Sequence, residues 1–151
     1  PDHKDLNPYR FIVLENQALN TLGTALKNAA IAQGETDEKT LKKAENMPLR
    51  APMIIACVTD FKPHDKVPHW EQIAASSCAV QNLLLALMAQ GFATVWRTGP
   101  LANAPAIKQL FNVTADNQVI AFVYVGTAVS TIPPRSKIDV TPFIVYDNGS
   151  N

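Results

Sequence analysis

The hydrophobic positions in the first third of the chain fall into three blocks that predict one strand and two helices. Residues 9–15, YRFIVLE, form a short run of β-forming residues and predict a buried strand. In residues 17–34 the leucines and alanines recur at helical spacing and a glycine follows, which predicts an amphipathic helix. Residues 36–48 are strongly charged, with acidic residues first and lysines later, and predict a solvated helix that ends at Pro48.

The remainder of the chain predicts three more strands and two more helices. Residues 51–61 and 117–128 are apolar at almost every position, which is typical of strands buried on both faces at the centre of a sheet. Between them, residues 68–91 predict the longest helix, residues 92–98 a third strand and residues 104–112 a short helix. The predicted order of elements is therefore β-α-α-β-α-β-α-β.

Two apolar segments are expected to be buried against other parts of the protein or against a second subunit. The helix over 68–91 is apolar around most of its circumference, so we expect a core helix or part of a subunit interface. The last stretch, 129–151, has several prolines and no helical period, yet it contains the apolar run FIVY at 143–146. That run is too apolar for a free tail, and we expect it to dock on another surface.

The alternation of strands and helices is compatible with two fold classes. Strict alternation is typical of a parallel, doubly wound sheet. The glycine patterns that accompany nucleotide sites in such folds, GxGxxG and GxxxxGK[ST], are absent from the sequence. An α+β arrangement is at least as well supported, and no internal repeat or linker divides the chain.

Composition and charge narrow the function classes. The chain has 151 residues, of which 47% are hydrophobic and 17% charged, which indicates one domain with a substantial core. Thirteen basic and thirteen acidic residues cancel, so nothing favours nucleic acid or an anionic membrane as a partner. No uninterrupted apolar run reaches the roughly 18 residues of a membrane span, and the polar start is not a secretory signal. Cys57 and Cys78 lie in apolar runs and are expected to be buried, reduced thiols of a cytoplasmic protein.

Two weaker signals for catalysis lie in the middle of the chain. His64 and His69 are five residues apart, but no third ligand at a defined spacing supports a metal site. The SSC sequence at 76–78 contains candidate nucleophiles but lies within the long predicted helix, without a nucleophile elbow. Glu71 is interpreted as a first-turn acid that complements the helix dipole. We therefore predict no metal site and no catalytic acid–base pair.

The WRTG segment combines groups that suit a ligand. Trp96 offers a flat apolar face, Arg97 a fork of five N–H donors, and Gly99 a backbone that a ring can approach. With the hydroxyl of Thr98 they suit a planar, anionic ligand with polar edges. A turn after a strand, with the indole in the core and the guanidinium on the surface, explains the same residues, and composition leaves both interpretations open. The polar loop over 1–11 is a second candidate, because convergent polar groups at strand ends are common in small-molecule sites.

Several segments together resemble the flavin-dependent nitroreductase family, in particular its short subgroup of minimal NAD(P)H nitroreductases. The segments are PDHKDLNPYRFIVLE, RAPMII, VPHWEQIAASSCAVQNLLLALMAQGFATVWRTGPL and IAFVYVGTA, which cover nearly the whole chain. The resemblance implies an α+β fold in which a central, mainly antiparallel sheet is flanked by helices. It also implies a homodimer with FMN at each subunit boundary.

The resemblance also implies which residues contact the cofactors. His3, Trp96, Arg97 and Thr98 match positions that contact FMN in the family. A further stretch matches one assigned to the pyridine nucleotide NAD(P)H. It consists of Ala86, Leu87, Met88, Ala89, Gln90 and Gly91. The family's Arg-Arg-Ser motif for the FMN phosphate lies on an upstream helix, so we expect residues 1–151 to form a single nitroreductase-like domain without this helix.

The implied activity is that of an FMN-dependent NAD(P)H oxidoreductase. NAD(P)H reduces the flavin and leaves, and a nitroaromatic or quinone then takes the same place and is reduced, which is a ping-pong scheme. Donors between Arg97 and Gly99 are expected to stabilise negative charge on the reduced ring. A non-catalytic flavin- or ligand-binding module is the alternative from another class.

Overall fold

The order of strands and helices follows the order predicted from the sequence. A computed structural model of the protein describes residues 1–114, 116–130, 133 and 136–147. Its strands and α-helices are β1 (Tyr9–Glu15), α1 (Gln17–Ala32), α2 (Glu38–Asn46), β2 (Met53–Thr59), α3 (His69–Ala89), β3 (Ala93–Arg97), α4 (Pro105–Leu110) and β4 (Gln118–Gly126). Short 3-10 turns occupy His3–Asp5, Met47–Arg50, Pro100–Asn103 and Thr141–Phe143. Each predicted strand and helix is confirmed to within a few residues.

The four strands form one sheet in the order β1-β2-β4-β3, and every neighbouring pair is antiparallel. The parallel, doubly wound alternative is therefore wrong, and the α+β arrangement with an antiparallel sheet is confirmed. β2 and β4 are the central strands, as their two-sided apolar sequences predict, and six of the seven residues of β2 and five of the nine of β4 are buried. β1 and β3 form the two edges.

The sheet has a buried core on each face. On one face, called here the α1 face, α1 and α4 pack over a cluster that includes Leu22, Ile54 and Ile107, all with at most 1% of their surface exposed. On the other, called here the α3 face, α3 packs over Cys57 and Val123, which have no exposed surface. Full burial of each aliphatic side chain stabilises the fold by roughly 1.5–3 kcal/mol, so both faces contribute to one domain.

Local sequence explains where the first two helices begin, end and meet. The Asp37 carboxylate accepts a hydrogen bond from the backbone N–H of Thr40 at 2.8 Å and thereby caps the start of α2. α1 ends before Gly34, which adopts a left-handed conformation with a φ of 92°. A Cβ atom at Gly23 would overlap the carbonyl oxygen of Glu45, so the glycine permits the close approach of α1 and α2.

Helix α3 buries only one stripe in the subunit. Its buried residues are Gln72, Ala75, Ser76 and Val80, whereas Leu85 is 50% exposed. The prediction of a fully buried core helix is therefore wrong for a single subunit, and the subunit-interface alternative stays a prediction. By length and mean hydropathy alone, α3 is long and apolar enough to cross a membrane. The criterion of an uninterrupted apolar run did not select it, because polar residues interrupt its sequence. This buried stripe contacts the sheet and the loop that precedes α3, as in a helix packed on a sheet.

The segment after β4 is exposed where the structure describes it. Phe143 is 78% exposed, Val145 90% and Tyr146 81%. The expectation that this run docks on another surface is therefore not met within the subunit, and docking on a second subunit stays a prediction. Residues 131, 132, 134, 135 and 148–151 of this stretch lie outside the described residues.

Candidate functional site

A cavity of about 610 Å³ opens on the α1 face beside the end of β3. Arg97, Thr98 and Gly99 form one wall, and Phe122 and Tyr124 of β4 lie at its base. The wall opposite is made by the C-terminal half of α1 and by α2. The cavity thus combines an apolar interior with a guanidinium, a hydroxyl and a backbone turn, which is the usual composition of a small-molecule site.

The register of β3 divides the predicted cofactor residues between the two faces of the sheet. Arg97 pairs with Phe122, which belongs to the core of the α1 face. Trp96 pairs with Val123, which belongs to the core of the α3 face, and its indole N–H donates to the carbonyl of Ile120 at 3.3 Å. Side chains of neighbouring strand residues point to opposite faces, so one flat ligand on one face cannot contact both.

The unpaired edge of β3 is the place where the two faces of the sheet meet. β3 pairs only with β4 among the described strands, so its other edge has backbone groups without a strand partner. Val95 is 50% exposed and Trp96 36%, which places apolar surface along the same edge. A ligand that lies along this edge can reach the indole from one face and the guanidinium from the other.

The base of the cavity has a positive electrostatic environment. Burial raises the pKa of the Tyr124 hydroxyl, and the nearby positive charges of Arg97 and Arg50 lower it by a smaller amount. Lys43 of α2 also lines the cavity, and so does the acidic residue Glu35. At neutral pH the tyrosine is a neutral donor near two arginine charges, in a cavity lined by residues of both signs.

His3 lies beside one edge strand of the sheet, β1, and Arg97 belongs to the other edge strand, β3. It precedes β1, whose Tyr9 pairs with Thr59 at the end of β2, which in turn pairs with Gln118 of β4. β1 and β3 are separated by three inter-strand spacings, or about 14 Å. The strand that follows His3 and the strand that contains Arg97 are therefore not neighbours in the sheet.

His3 has a partner that the sequence did not reveal. Its Nδ1 atom lies 2.8 Å from the Oε2 atom of Glu71, in the first turn of α3. The sequence interpretation assigned this glutamate to the helix dipole alone. The two residues are 68 positions apart, so no local spacing signals the pair.

The stretch from Ala86 to Gly91 lies at the C-terminal turn of α3. The backbone N–H of Gln90 contacts the Ala86 and Leu87 carbonyls, and that of Gly91 donates to Met88. Gly91 has a φ of 87° and closes the helix. β3 then runs from this end of the sheet to Arg97, about 14 Å away, so the stretch does not meet the cavity wall formed by Arg97.

Polar residues that the sequence analysis did not single out hold the loop between β2 and α3. The Gln72 side chain accepts from the backbone N–H of Lys62 at 2.9 Å and donates to the carbonyls of Lys62 and Val67. Asp60 accepts from Arg10 of β1 at 2.8 Å and from Asn117 at 3.2 Å. These contacts fix the end of the sheet at which β1 begins and β2 ends.

The residues weighed for metal or nucleophilic chemistry have structural contacts. The His64 Nδ1 atom accepts from the backbone N–H of Lys66, and the ring of His69 stacks on Phe61 at 3.9 Å. Ser76 is buried and donates to the carbonyl of Gln72 at 2.9 Å. Across the described residues, no three His, Cys, Asp or Glu side chains are grouped so that they could hold a metal ion. These contacts give a metal hydrolase no support.

Comparison with protein-family models and curated proteins gives consistent matches. The model of the family described as "Nitroreductase family" matches residues 1–127. A protein of Escherichia coli strain K12, "Putative NAD(P)H nitroreductase YdjA", is 37% identical over 147 residues, which cover 97% of this chain and 80% of that protein. A "Putative NAD(P)H nitroreductase" of Haemophilus influenzae is 43% identical over 148 residues, with the same two coverages of 97% and 80%.

Solved structures with low sequence identity share the fold. A nitroreductase-like family protein from Bacillus cereus superposes with a TM-score of 0.82 at 20% identity, covering 99% of this chain and 78% of its own. The FMN and NADPH-dependent nitroreductase NfnB from Sphigopyxis sp. strain HMH superposes with a TM-score of 0.69 at 13% identity. The superposition covers 98% of this chain and 83% of NfnB. At these identities the likeness establishes the arrangement of strands and helices.

Proposed function

Because the chain belongs to the nitroreductase family, we propose that it is an FMN-dependent NAD(P)H oxidoreductase that reduces nitroaromatics or quinones. The observation that carries this proposal is the 37–43% identity, over 97% of the chain, to relatives named as NAD(P)H nitroreductases. Residues 1–151 then form a single nitroreductase-like domain.

The open edge of β3 and the adjoining cavity fit a flavin. Trp96 offers an aromatic face, Arg97 a fork of donors, and Thr98 a hydroxyl, all next to strand backbone without a partner strand. This donor set suits a ring system with apolar faces and a polar, hydrogen-bonding edge. Lys43 and Arg97 are the cations that line the cavity and favour an anionic group such as a phosphate.

Two subunits are needed to complete this site. His3 precedes β1, and β1 lies three inter-strand spacings, or about 14 Å, from β3, so one copy is not expected to hold one ring system with both groups. We therefore propose a homodimer in which one subunit supplies Trp96, Arg97 and Thr98 and the partner supplies its copy of the histidine. The exposed apolar surface of α3 and of the run over 143–146 supports such an interface.

The residues proposed for NAD(P)H lie at the end of α3, from Ala86 to Gly91. Met88 is 64% exposed and Phe92 45%, so apolar surface is available there for a nicotinamide or adenine ring. The negative end of the helix dipole is unfavourable for the pyrophosphate, so we expect this stretch to contact a ring of the nucleotide. The use of NAD(P)H, together with the free thiols Cys57 and Cys78, favours the cytoplasm as the location.

FMN bound at this site would supply the redox chemistry, which is acceptance of a hydride from NAD(P)H and transfer of the reducing equivalents to the second substrate in a ping-pong scheme. The chain's own residues would bind the ring, orient it and tune its reduction potential. The guanidinium of Arg97 stabilises negative charge at the edge of the ring because it is fixed before the reaction begins. The indole of Trp96, held by its bond to Ile120, covers apolar surface and excludes water.

The first prediction concerns Arg97. The protein loaded with FMN is expected to be yellow, to bleach with NAD(P)H and to regain its colour with a nitroaromatic or quinone. Arg97→Ala is expected to weaken FMN binding at least tenfold and to lower the flavin reduction potential, because it removes charge-assisted donors. Fluorescence titration measures the affinity and dye equilibration the potential.

Arg50→Ala is the matched control, since Arg50 also acts electrostatically on Tyr124 but does not line the cavity. Unchanged FMN affinity and potential in Arg97→Ala would contradict the role of the guanidinium. A protein that binds FMN but is not bleached by either nucleotide would instead support the non-catalytic flavin-binding alternative.

A further inference from the structure

The pair formed by His3 and Glu71 joins two distant parts of the chain at one end of the sheet. The imidazole Nδ1 and the carboxylate Oε2 are 2.8 Å apart, within the range of a charge-assisted hydrogen bond. The side chain of His3 is 49% exposed and that of Glu71 28%, so much of the imidazole stays accessible to a ligand.

The carboxylate determines which ring nitrogen carries the proton. An ionised carboxylate can only accept hydrogen bonds, so the Nδ1 atom of His3 must be the donor in this pair. A neutral imidazole has one protonated nitrogen, which leaves Nε2 with a free lone pair. Across the described residues, Nε2 of His3 has no hydrogen-bond partner.

Both members of the pair are held by their own surroundings. Glu71 precedes Gln72, whose side chain makes three hydrogen bonds to the loop over 62–67 and fixes the start of α3. On the other side, the Asp2 carboxylate accepts a hydrogen bond from the backbone N–H of Asn7 and closes the loop that contains His3. The geometry of the pair therefore follows from two fixed segments.

We propose that Glu71 is a positioning residue for His3: its carboxylate keeps the proton on Nδ1 and presents Nε2 as the ring atom available to the flavin of a neighbouring subunit. This inference rests on the proposed function, in which His3 contacts FMN. A histidine ligand is commonly oriented by a carboxylate on its second nitrogen, and the orientation selects the tautomer.

The tautomer is measured first, on protein without FMN. Nitrogen NMR of protein with ¹⁵N-labelled histidine, at alkaline pH so that neutral rings are compared, identifies the protonated nitrogen. The chain has three histidines, and the His3 signals are those that disappear in His3→Ala. We expect the Nδ1–H tautomer in the wild type and a shift toward Nε2–H, the form a free imidazole prefers, in Glu71→Ala.

The consequence for the cofactor is measured second, by FMN titration of the dimer. Glu71→Ala is expected to weaken FMN binding by up to roughly tenfold, the lower end of the range for partners that orient metal-binding histidines. In the variant that also carries His3→Ala, the loss of affinity is expected to be no greater than in His3→Ala alone, because Glu71 acts through the imidazole.

Glu45→Gln is the matched control, because Glu45 forms a similarly exposed ion pair with Lys27 at 3.0 Å, between α1 and α2. It is expected to change neither the His3 tautomer nor FMN affinity. Glu71→Gln tests the charge, since its amide oxygen can still accept from Nδ1 but without charge assistance. It is expected to retain more of the Nδ1–H tautomer than Glu71→Ala.

Two results would overturn the inference. One is an Nε2–H tautomer of His3 in the wild type, or a tautomer that Glu71→Ala leaves unchanged. The other is weaker FMN binding in Glu71→Ala that simply adds to that of His3→Ala. Unchanged FMN affinity in His3→Ala itself would instead remove the histidine from the proposed function, while the tautomer result would still report on the pair.

Discussion

At the residue scale, side-chain identity alone did not reveal the partner of each functional group. Arg97 and Trp96 are neighbours in sequence but belong to opposite faces of the sheet. His3 and Glu71 are distant in sequence but hydrogen-bonded. Strand alternation explains the first finding and could have been applied to the sequence. The second depends on how α3 packs against the segment before β1, which no local spacing reports.

The two thiols, for which the sequence predicts the same environment, differ in burial. Cys57 has no exposed surface, and burial, with a smaller effect of the Asp60 charge, raises the pKa of its thiol to about 12. Cys78 on α3 is only partly buried.

We predict that Cys57 does not react with a thiol-specific reagent in the native protein at pH 8, because the reactive thiolate is absent so far below its pKa. The Cys78→Ser variant, titrated with Ellman's reagent, should release no colour until it is denatured, and then one equivalent. Rapid native labelling of this variant would show that the β2 region opens readily.

At the element scale, the hydrophobic pattern was sufficient to locate every strand and helix but not to set their directions. β2 and β4 were predicted as central strands because they are apolar on both faces, and this is confirmed. Their antiparallel pairing could not be obtained from alternation with helices, which also suits a parallel sheet. The resemblance to a known family supplied that information.

One close contact between elements is also visible only in the structure. Gly23→Ala is predicted to lower the free energy of unfolding by about 1–3 kcal/mol, because the added methyl group would overlap the Glu45 carbonyl and push α1 from α2. Urea unfolding followed by circular dichroism measures the change. Thr24→Ala, at the adjacent exposed position, is the control and should be close to neutral. Equal stabilities of the two variants would contradict the tight packing of these helices.

At the scale of the whole molecule, the subunit exposes more apolar surface than its own core can cover. Leu85, Met88 and Phe92 are between 45% and 64% exposed along the end of α3. The apolar circumference of the helix predicts a buried helix, but it does not tell burial in a core from burial between subunits. A pattern of apolar positions does not say which molecule provides the covering surface.

The dimer is tested by placing a charge on this surface. Leu85→Glu is predicted to shift the protein toward monomer at micromolar concentration and to weaken FMN binding with it, since a buried unpaired carboxylate disfavours association. Ile31→Glu is the matched control, because Ile31 is 49% exposed on α1, on the opposite side of the sheet. Sedimentation velocity distinguishes the two variants. A monomeric wild type, or a dimer that tolerates Leu85→Glu, would contradict the interface.

The unpaired edge of β3 has a consequence for how the protein matures in a cell. A short strand with exposed Val95 and Trp96 is a template on which another extended chain can add. Newly made polypeptide whose β3 edge is covered neither by FMN nor by the proposed partner subunit is therefore the species expected to aggregate. Riboflavin supply during expression should accordingly govern the yield of soluble protein as well as its colour.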